Sequence, residues 1–129
     1  MKKHLINTIE LENNLTLNLY DESVKMIGDR WLVTLVARME IPVDWALIEE
    51  DHLSLTEKKE IQKTLGKNVV YEQKSNRIFV NSSDKESVLQ ELHDTFIENT
   101  LHYLAHENFS QQFLLKIIKD AVEKKQRKR

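Results

Sequence analysis

The last third of the chain limits the possible folds more than any other segment, because residues 83–129 contain neither glycine nor proline. Apolar side chains recur there at helical spacing, which predicts two long helices. The first should run from Ser83 to about His106. Asn108 or Ser110 should cap the second. The apolar residues of this second helix cover roughly 240° of its circumference at about 100° per residue. They are Phe109, Phe113, Leu114, Leu115, Ile117, Ile118, Ala121 and Val122.

That arc is wider than a single core contact requires, since an apolar stripe of about 100° is enough for a helix that lies on one core. The surplus predicts a second buried contact, with another helix or with another subunit. We therefore predict association through the apolar face of the last helix. The predicted interface residues are Phe109, Phe113, Ile117, Ile118 and Val122. The partner is either a second copy of the chain, which gives a homo-oligomer, or another protein.

The composition predicts one globular α+β domain over residues 1–129, because this length can enclose a real core and 40% of the residues are apolar. The chain has no cysteine, which excludes disulfides and thiolate metal sites and fits a reducing compartment. No segment approaches the roughly 18 apolar residues of a membrane span, and the N-terminus lacks the apolar stretch of a signal peptide. We expect a cytoplasmic protein that has no membrane partner.

The net charge of −2 conceals two segments of opposite sign. From Lys116 to the C-terminus there are seven basic and two acidic residues, whereas Glu40 to Glu60 holds seven acidic and two basic ones. Basic side chains at a helix C-terminus meet the negative pole of the helix, so residues 123–129 are predicted to be a solvated, frayed helix end. Binding of nucleic acid through this tail is the alternative, because each neutralised phosphate adds affinity.

Two strands are predicted in the first part of the chain from alternation of apolar and polar residues. The first contains Leu15, Leu17 and Leu19, and Asn13-Asn14 can form a tight turn that joins it to a partner strand over Leu5–Leu11. The second runs from Arg30 to Val43 and is apolar on both faces near Trp31. A loop between these strands spans residues 21–29, where Gly28 can adopt a positive φ.

A short helix capped by Ser54 or Thr56 and ended by Gly66 is predicted next. Residues 69–73 and 77–81 then read as two strands of a hairpin around the loop at 74–76. The predicted order is therefore β-β-α-β-β followed by two long helices. Strands that form hairpins and helices grouped at the end predict an α+β fold, with an antiparallel sheet of about four strands and both helices packed on one face.

The loop at 21–30 is the best place in the sequence for a ligand, because loops on a rigid scaffold often carry function. It supplies the carboxylates of Asp21, Glu22 and Asp29 and the guanidinium of Arg30. The structural alternative is an ion pair between Arg30 and one of these carboxylates that closes the loop. His93 falls inside the apolar arc of its helix, so it is either a hydrogen-bonded core histidine or a titrating group.

No metal site or cofactor is predicted. His102 and His106 have the i, i+4 spacing of helical metal ligands, but they lie opposite the apolar arc and lack the glutamate of an H-E-x-x-H motif. The two glycines stand alone, so a phosphate loop is excluded. These observations favour a non-catalytic binding or oligomerisation module. An enzyme or small-ligand binder that uses the loop from Asp21 to Arg30 is the alternative.

Overall fold

A computed structural model of the protein describes residues 4–43, 59 and 63–127. Five strands precede two long helices in this part of the chain. The elements are β1 (His4–Glu10), β2 (Thr16–Asp21), β3 (Val24–Lys25), β4 (Arg30–Pro42), β5 (Asn68–Asn81), α1 (Lys85–Ala105) and α2 (Phe109–Arg127). One 3-10 turn, Ser82–Asp84, leads from β5 into α1. This order confirms the predicted α+β class, with an antiparallel sheet followed by two long helices.

The chain divides into two compact units. Unit 1 consists of Met1–Met39 and Tyr71–His106, and unit 2 consists of Glu40–Val70 and Glu107–Arg129. Strands β4 and β5 contribute residues to both units, whereas α1 belongs to unit 1 and α2 to unit 2. That residues 1–129 fold as one domain stays a prediction.

Strand β4 is the central strand of the sheet. Strands β2 and β3 pair antiparallel with successive segments of it, so that Tyr20 lies opposite Val36 and Val24 lies opposite Leu32. Because β2 and β3 lie along one edge of β4, β5 pairs along the other edge. Strand β1 pairs antiparallel with β2 and forms the edge of the sheet on that side, among the described residues.

Strand β4 is covered on both sides in its middle part, where successive residues point to opposite faces. Thr34 and Val36 are buried on one face, and Val33, Leu35, Ala37 and Met39 are buried on the opposite face. In unit 1, α1 lies on this second face. The ammonium of Lys85 on α1 is 3.9 Å from the ring centre of Trp31 on β4, and Arg77 on β5 makes a 3.1 Å ion pair with Glu91 on α1. We call this the helix face of unit 1 and the opposite side the outer face.

Two predicted turns are confirmed in the structure. Asn14 has a φ of 69°, and the amide of Leu11 donates a 2.8 Å hydrogen bond to the carbonyl of Leu15, which joins β1 to β2. Asparagine tolerates this left-handed conformation better than most residues. Gly28 has a φ of 70° in the turn before β4, as its sequence position predicted. The same holds for Gly66, whose φ of 67° follows helical residues at 63–65.

The predicted hairpin at 74–76 is wrong, because β5 is one continuous strand of 14 residues. Ser75 lies within it and is half-buried. The polar triplet offered a turn, but it contains no glycine and none of its residues has a positive φ. The triplet instead continues the extended backbone of β5, which pairs with β4. The predicted start of the preceding short helix, at Ser54 or Thr56, lies outside the described residues.

The left-handed residue of β5 is instead Phe79, with a φ of 58°. A bulky side chain rarely adopts this conformation, because Cβ approaches the following carbonyl oxygen at a cost of about 1–2 kcal/mol. Phe79 is also 64% exposed, so its ring gains little from burial. The strain at Phe79 is therefore not offset by packing of its own side chain.

We expect Phe79→Gly to keep or raise the free energy of unfolding by up to about 1 kcal/mol, because glycine adopts a positive φ without strain. Ile78→Gly is the matched control, since Ile78 is 61% exposed in the same strand and does not have a positive φ. It should lose about 1 kcal/mol. Urea unfolding followed by circular dichroism measures both values. An equal loss in both variants would contradict the strain at Phe79.

The edge strand β1 is irregular. Its pairing with β2 shifts between Leu5 and Asn7, so that Ile6 interrupts the regular register. Leu5 is 51% exposed and Ile6 is 36% exposed. A shift of this kind leaves the strand bent and locally more twisted.

Candidate protein-association surface on the last helix

The last helix, α2, buries two separate parts of its apolar arc. Phe109 is 1% exposed, Leu114 is 2% exposed and Ile118 is 1% exposed. At about 100° per residue, Phe109 lies on one side of the arc, and Leu114 and Ile118 lie about 140–180° away from it. Two rows within the arc are therefore buried, and we call them the flanks of the surface that lies between them.

Between these flanks lies a stripe of half-buried residues that we call the α2 stripe: Ser110, Phe113, Ile117 and Ala121. Its members are spaced three or four residues apart, so they form one row along the helix. The aromatic ring of Phe113 stacks on Phe109 with 5.7 Å between ring centres and 16° between ring planes, which fixes one end of the row. A row of apolar side chains that stays partly open between two buried flanks is a surface on which another helix can pack.

The predicted interface residues differ in exposure. Phe109 and Ile118 are buried on the two sides of the α2 stripe, whereas Phe113 and Ile117 within it are half-buried. The side chain of Val122 lies outside the described residues. Leu115, at the far end of the apolar arc, is 40% exposed. The backbone of the predicted basic tail is helical through Arg127, and the structure does not describe the basic side chains beyond Glu123.

The ligand candidates of the loop at 21–30 are spread along unit 1. Asp21 lies opposite Leu35, whereas Arg30 begins the same strand five residues earlier, about 16 Å away at 3.3 Å per residue. The carboxylate of Asp21 accepts a 2.9 Å hydrogen bond from the amide of Ser23. Asp29 is exposed, and its carbonyl accepts a hydrogen bond from the amide of Ser82.

Glu22 pairs with Arg38, which the sequence analysis did not identify as a site residue. One of its oxygens is 4.0 Å from the guanidinium of Arg38, and this oxygen is buried with no hydrogen-bond partner among the described residues. Arg38 donates a 2.9 Å hydrogen bond from Nε to Glu72 and lies 5.4 Å from the ring centre of Tyr20. This hydrogen bond with Glu72 is the main reason that the pKa of Arg38 is raised. Among the described residues, Arg30 makes no ion pair with Asp21, Glu22 or Asp29.

Arg38 and its partners lie on the outer face of unit 1. The alternation in β4 could have predicted the face on which Arg38 lies. Arg38 occupies the face opposite Ala37 and Met39, and Glu72 follows a half-buried residue in β5. Sequence reasoning lacked the pairing of β5 with β4, because it placed a hairpin in β5. The pairing brings Arg38 and Glu72 together.

Asp29 also lines an open cavity of about 480 Å³ at the end of β5, with Asn81, Ser82 and Ser83. The lining is polar and lies beside the start of α1. The amide groups at this helix end and the carboxylate of Asp29 favour ligands of opposite charge, so the cavity offers no consistent electrostatic preference.

His93 is half-buried, with 20% of its side chain exposed, and both ring nitrogens have partners. The amide nitrogen of Asn7 on β1 donates to Nε2 at 3.2 Å. Nδ1 therefore carries the proton and donates to Asp94 at 3.1 Å. This hydrogen bond, followed by one from Gln90, lowers the pKa of the exposed Asp94 carboxyl. The geometry is that of the hydrogen-bonded histidine of the sequence analysis.

His102 and His106 are exposed at the C-terminal end of α1. Nowhere in residues 4–43 and 63–127 do three or more potential metal ligands come together. None of the helices in the described part of the chain is long and apolar enough to cross a membrane. Comparison with known proteins found no matching family model, no matching curated sequence and no matching solved structure.

Proposed function

We propose that this protein is a non-catalytic association module that binds through the α2 stripe. The observation that carries the proposal is the exposure pattern of α2, in which Phe113 and Ile117 stay half-open between the buried Phe109 and Ile118. A helix that packs on one core buries the centre of its apolar arc most deeply. In α2 a half-open row instead separates two buried flanks, which is the pattern expected where a second helix completes the contact.

The composition of the α2 stripe supports a helix–helix contact. Phe113, Ile117 and Ala121 are spaced four residues apart, and the i±4 ridges of two helices interdigitate in the commonest packing class. The stripe contains no charged residue, and charged residues are depleted at the centres of protein interfaces. Leu115 extends the apolar surface beyond one flank with 40% of its area exposed.

The experiment is sedimentation velocity of the purified chain from about 1 to 100 μM. We expect the wild-type chain to associate with increasing concentration. Ile117→Asp should weaken the association by at least about a hundredfold, because it places a charge in the apolar contact. Gln112→Asp is the matched control, since it adds the same charge at an exposed position of the same helix and should leave association within about threefold of wild type.

A second variant keeps the test independent of folding. Ala121→Arg removes no buried group and blocks the α2 stripe with a long charged side chain, so it should also prevent association. Circular dichroism and thermal unfolding of all variants check that the fold is retained. A wild-type chain that stays monomeric at 100 μM, or association that is unchanged in both stripe variants, would remove the proposal.

A further inference from the structure

We infer that the partner of the α2 stripe is the same stripe of a second copy, packed antiparallel about a two-fold axis near Ile117. This inference rests on the proposed function and names its partner. In such an isologous contact each residue meets the residue that lies equally far on the other side of the axis. The sizes and charges of the α2 residues on the two sides of Ile117 can therefore be compared directly.

The sizes are complementary. Phe113 and Ala121 lie four residues before and after Ile117, which is about 6 Å along the helix in each direction at 1.5 Å per residue. In the antiparallel pair, Phe113 of one copy thus faces Ala121 of the second copy, and Ile117 faces Ile117. A large side chain opposite a small one fills the space between two helices without a gap. A parallel pair would place Phe113 against Phe113 and Ala121 against Ala121.

The charges beside the α2 stripe are complementary too. Lys116 and Asp120 lie on the same side of the stripe, both are exposed, and neither makes an ion pair with a described residue. Lys116 lies about 1.5 Å before the level of Ile117 along the helix, and Asp120 lies about 4.5 Å after it. The two-fold axis reverses these levels in the second copy. Lys116 of each copy then comes within about 3 Å, along the helix direction, of Asp120 of the other copy.

A parallel arrangement does not give this match. In a parallel pair the side of the stripe that carries Lys116 and Asp120 meets the opposite side of the second helix, where Leu114 and Ile118 lie. The antiparallel pair is favoured by two reciprocal ion pairs and by the contact of Phe113 in each copy with Ala121 in the other. Either property alone would be compatible with other partners, but together they describe a surface that is complementary to itself.

Cross-linking tests the position of the axis, because the chain has no cysteine and any introduced thiol is unique. Helix axes that are about 8–10 Å apart leave roughly 3.4–5.4 Å between facing Cα atoms at the two-fold, a range that overlaps the roughly 4.4–6.8 Å of disulfides. We expect Ile117→Cys to form a covalent dimer under mild oxidation at least about ten times faster than the exposed control Gln112→Cys. A mixture of Phe113→Cys and Ala121→Cys chains should cross-link faster than either chain alone.

Charge exchange tests the ion pairs. Lys116→Asp and Asp120→Lys should each weaken self-association about tenfold, since each change replaces two attractive contacts by two repulsive ones. A mixture of the two variants should form heterodimers as tight as the wild-type homodimer. Sedimentation of the separate and mixed variants, repeated in 0.5 M salt to screen the charges, gives the comparison.

The outcomes separate the two proposals. If the wild-type chain associates and Ile117→Asp prevents it, but Ile117→Cys cross-links no faster than the control and the charge variants do not recover on mixing, the antiparallel pair is wrong and the α2 surface stands. If the wild-type chain does not associate, both proposals fall. Cross-linking of Phe113→Cys alone at the highest rate would indicate a parallel pair and overturn this inference.

Discussion

Leu17→Ala is expected to lower the free energy of unfolding by about 3 kcal/mol. Leu17 is fully buried in β2 and lies opposite Ile9 of β1, beneath the helix face of unit 1. Truncation removes three buried carbon atoms and leaves a cavity that surrounding strands cannot close, and such changes cost about 2–5 kcal/mol. Chemical denaturation with urea, followed by circular dichroism, measures the loss.

Leu5→Ala is the matched control for this prediction. It removes the same atoms from the neighbouring strand β1, but Leu5 is 51% exposed. Its loss should stay below about 1 kcal/mol, because less apolar area returns to water and no cavity forms. Similar losses in the two variants would mean that Leu17 is not enclosed in the core as described.

Asn13→Asp is expected to cost about 2–3 kcal/mol at neutral pH, although the two side chains have nearly the same shape. The amide nitrogen of Asn13 donates to the carbonyls of Leu104 and His106 at 2.8 and 2.9 Å, and its oxygen accepts from the amide of Leu15 at 3.2 Å. A carboxylate cannot donate, so two carbonyl groups at the end of α1 lose a partner. It also adds a negative charge beside the negative pole of the helix.

The pH dependence of the free energy of unfolding distinguishes the two causes, which are the lost hydrogen bonds and the added negative charge. Repulsion from the helix end favours the protonated form of the introduced aspartate in the folded state, so its folded pKa lies above the ordinary value of about 4. The charge-dependent part of the loss is therefore complete at neutral pH and disappears as the pH falls below that ordinary value. Asn14→Asp is the control, because Asn14 is exposed and aspartate also tolerates its positive φ. An equal loss in both variants at pH 7 would contradict the role of Asn13.

Local sequence signals predicted most of the sheet in advance. The alternation of Leu15, Leu17 and Leu19 reflects a strand with one buried face, and the apolar residues on both faces of β4 reflect a central strand that is covered on both sides. Both strands are present. The turn at Asn13-Asn14 was predictable because asparagine tolerates a positive φ. These features depend on residues close together in the chain, so their physical cause is visible in the sequence itself.

The errors arise where distant segments decide the structure. The polar triplet at 74–76 resembles a turn, yet it lies within the continuous strand β5, which pairs with β4, and no local pattern in β5 reveals that partner. The left-handed Phe79 carries no sequence signal, because phenylalanine favours extended backbone. The two-residue strand β3 also lies in a segment that the sequence analysis treated as a loop.

The candidate surface also combines a feature set by nearby residues with one set by distant segments. Helical spacing was sufficient to predict the wide apolar arc of α2. It could not show which part of the arc stays open, because burial of Phe109 and Ile118 depends on the folded chain. Likewise, Arg38 and Glu72 are 34 residues apart, and only the pairing of β5 with β4 brings them together. Asp21 and Arg30 are close in sequence, but the level of Asp21 lies five residues along β4 from Arg30.

The irregular pairing of β1 affects whether strands from other molecules can add to the edge of the sheet at high protein concentration. An open, regular edge with exposed leucine and isoleucine is a template on which strands from other molecules can stack into fibrils. The register shift between Leu5 and Asn7 interrupts that template after a few residues, so an incoming strand could match one half of β1 but not both. Amyloid growth from this edge is thereby disfavoured, even though its aliphatic side chains remain in contact with water.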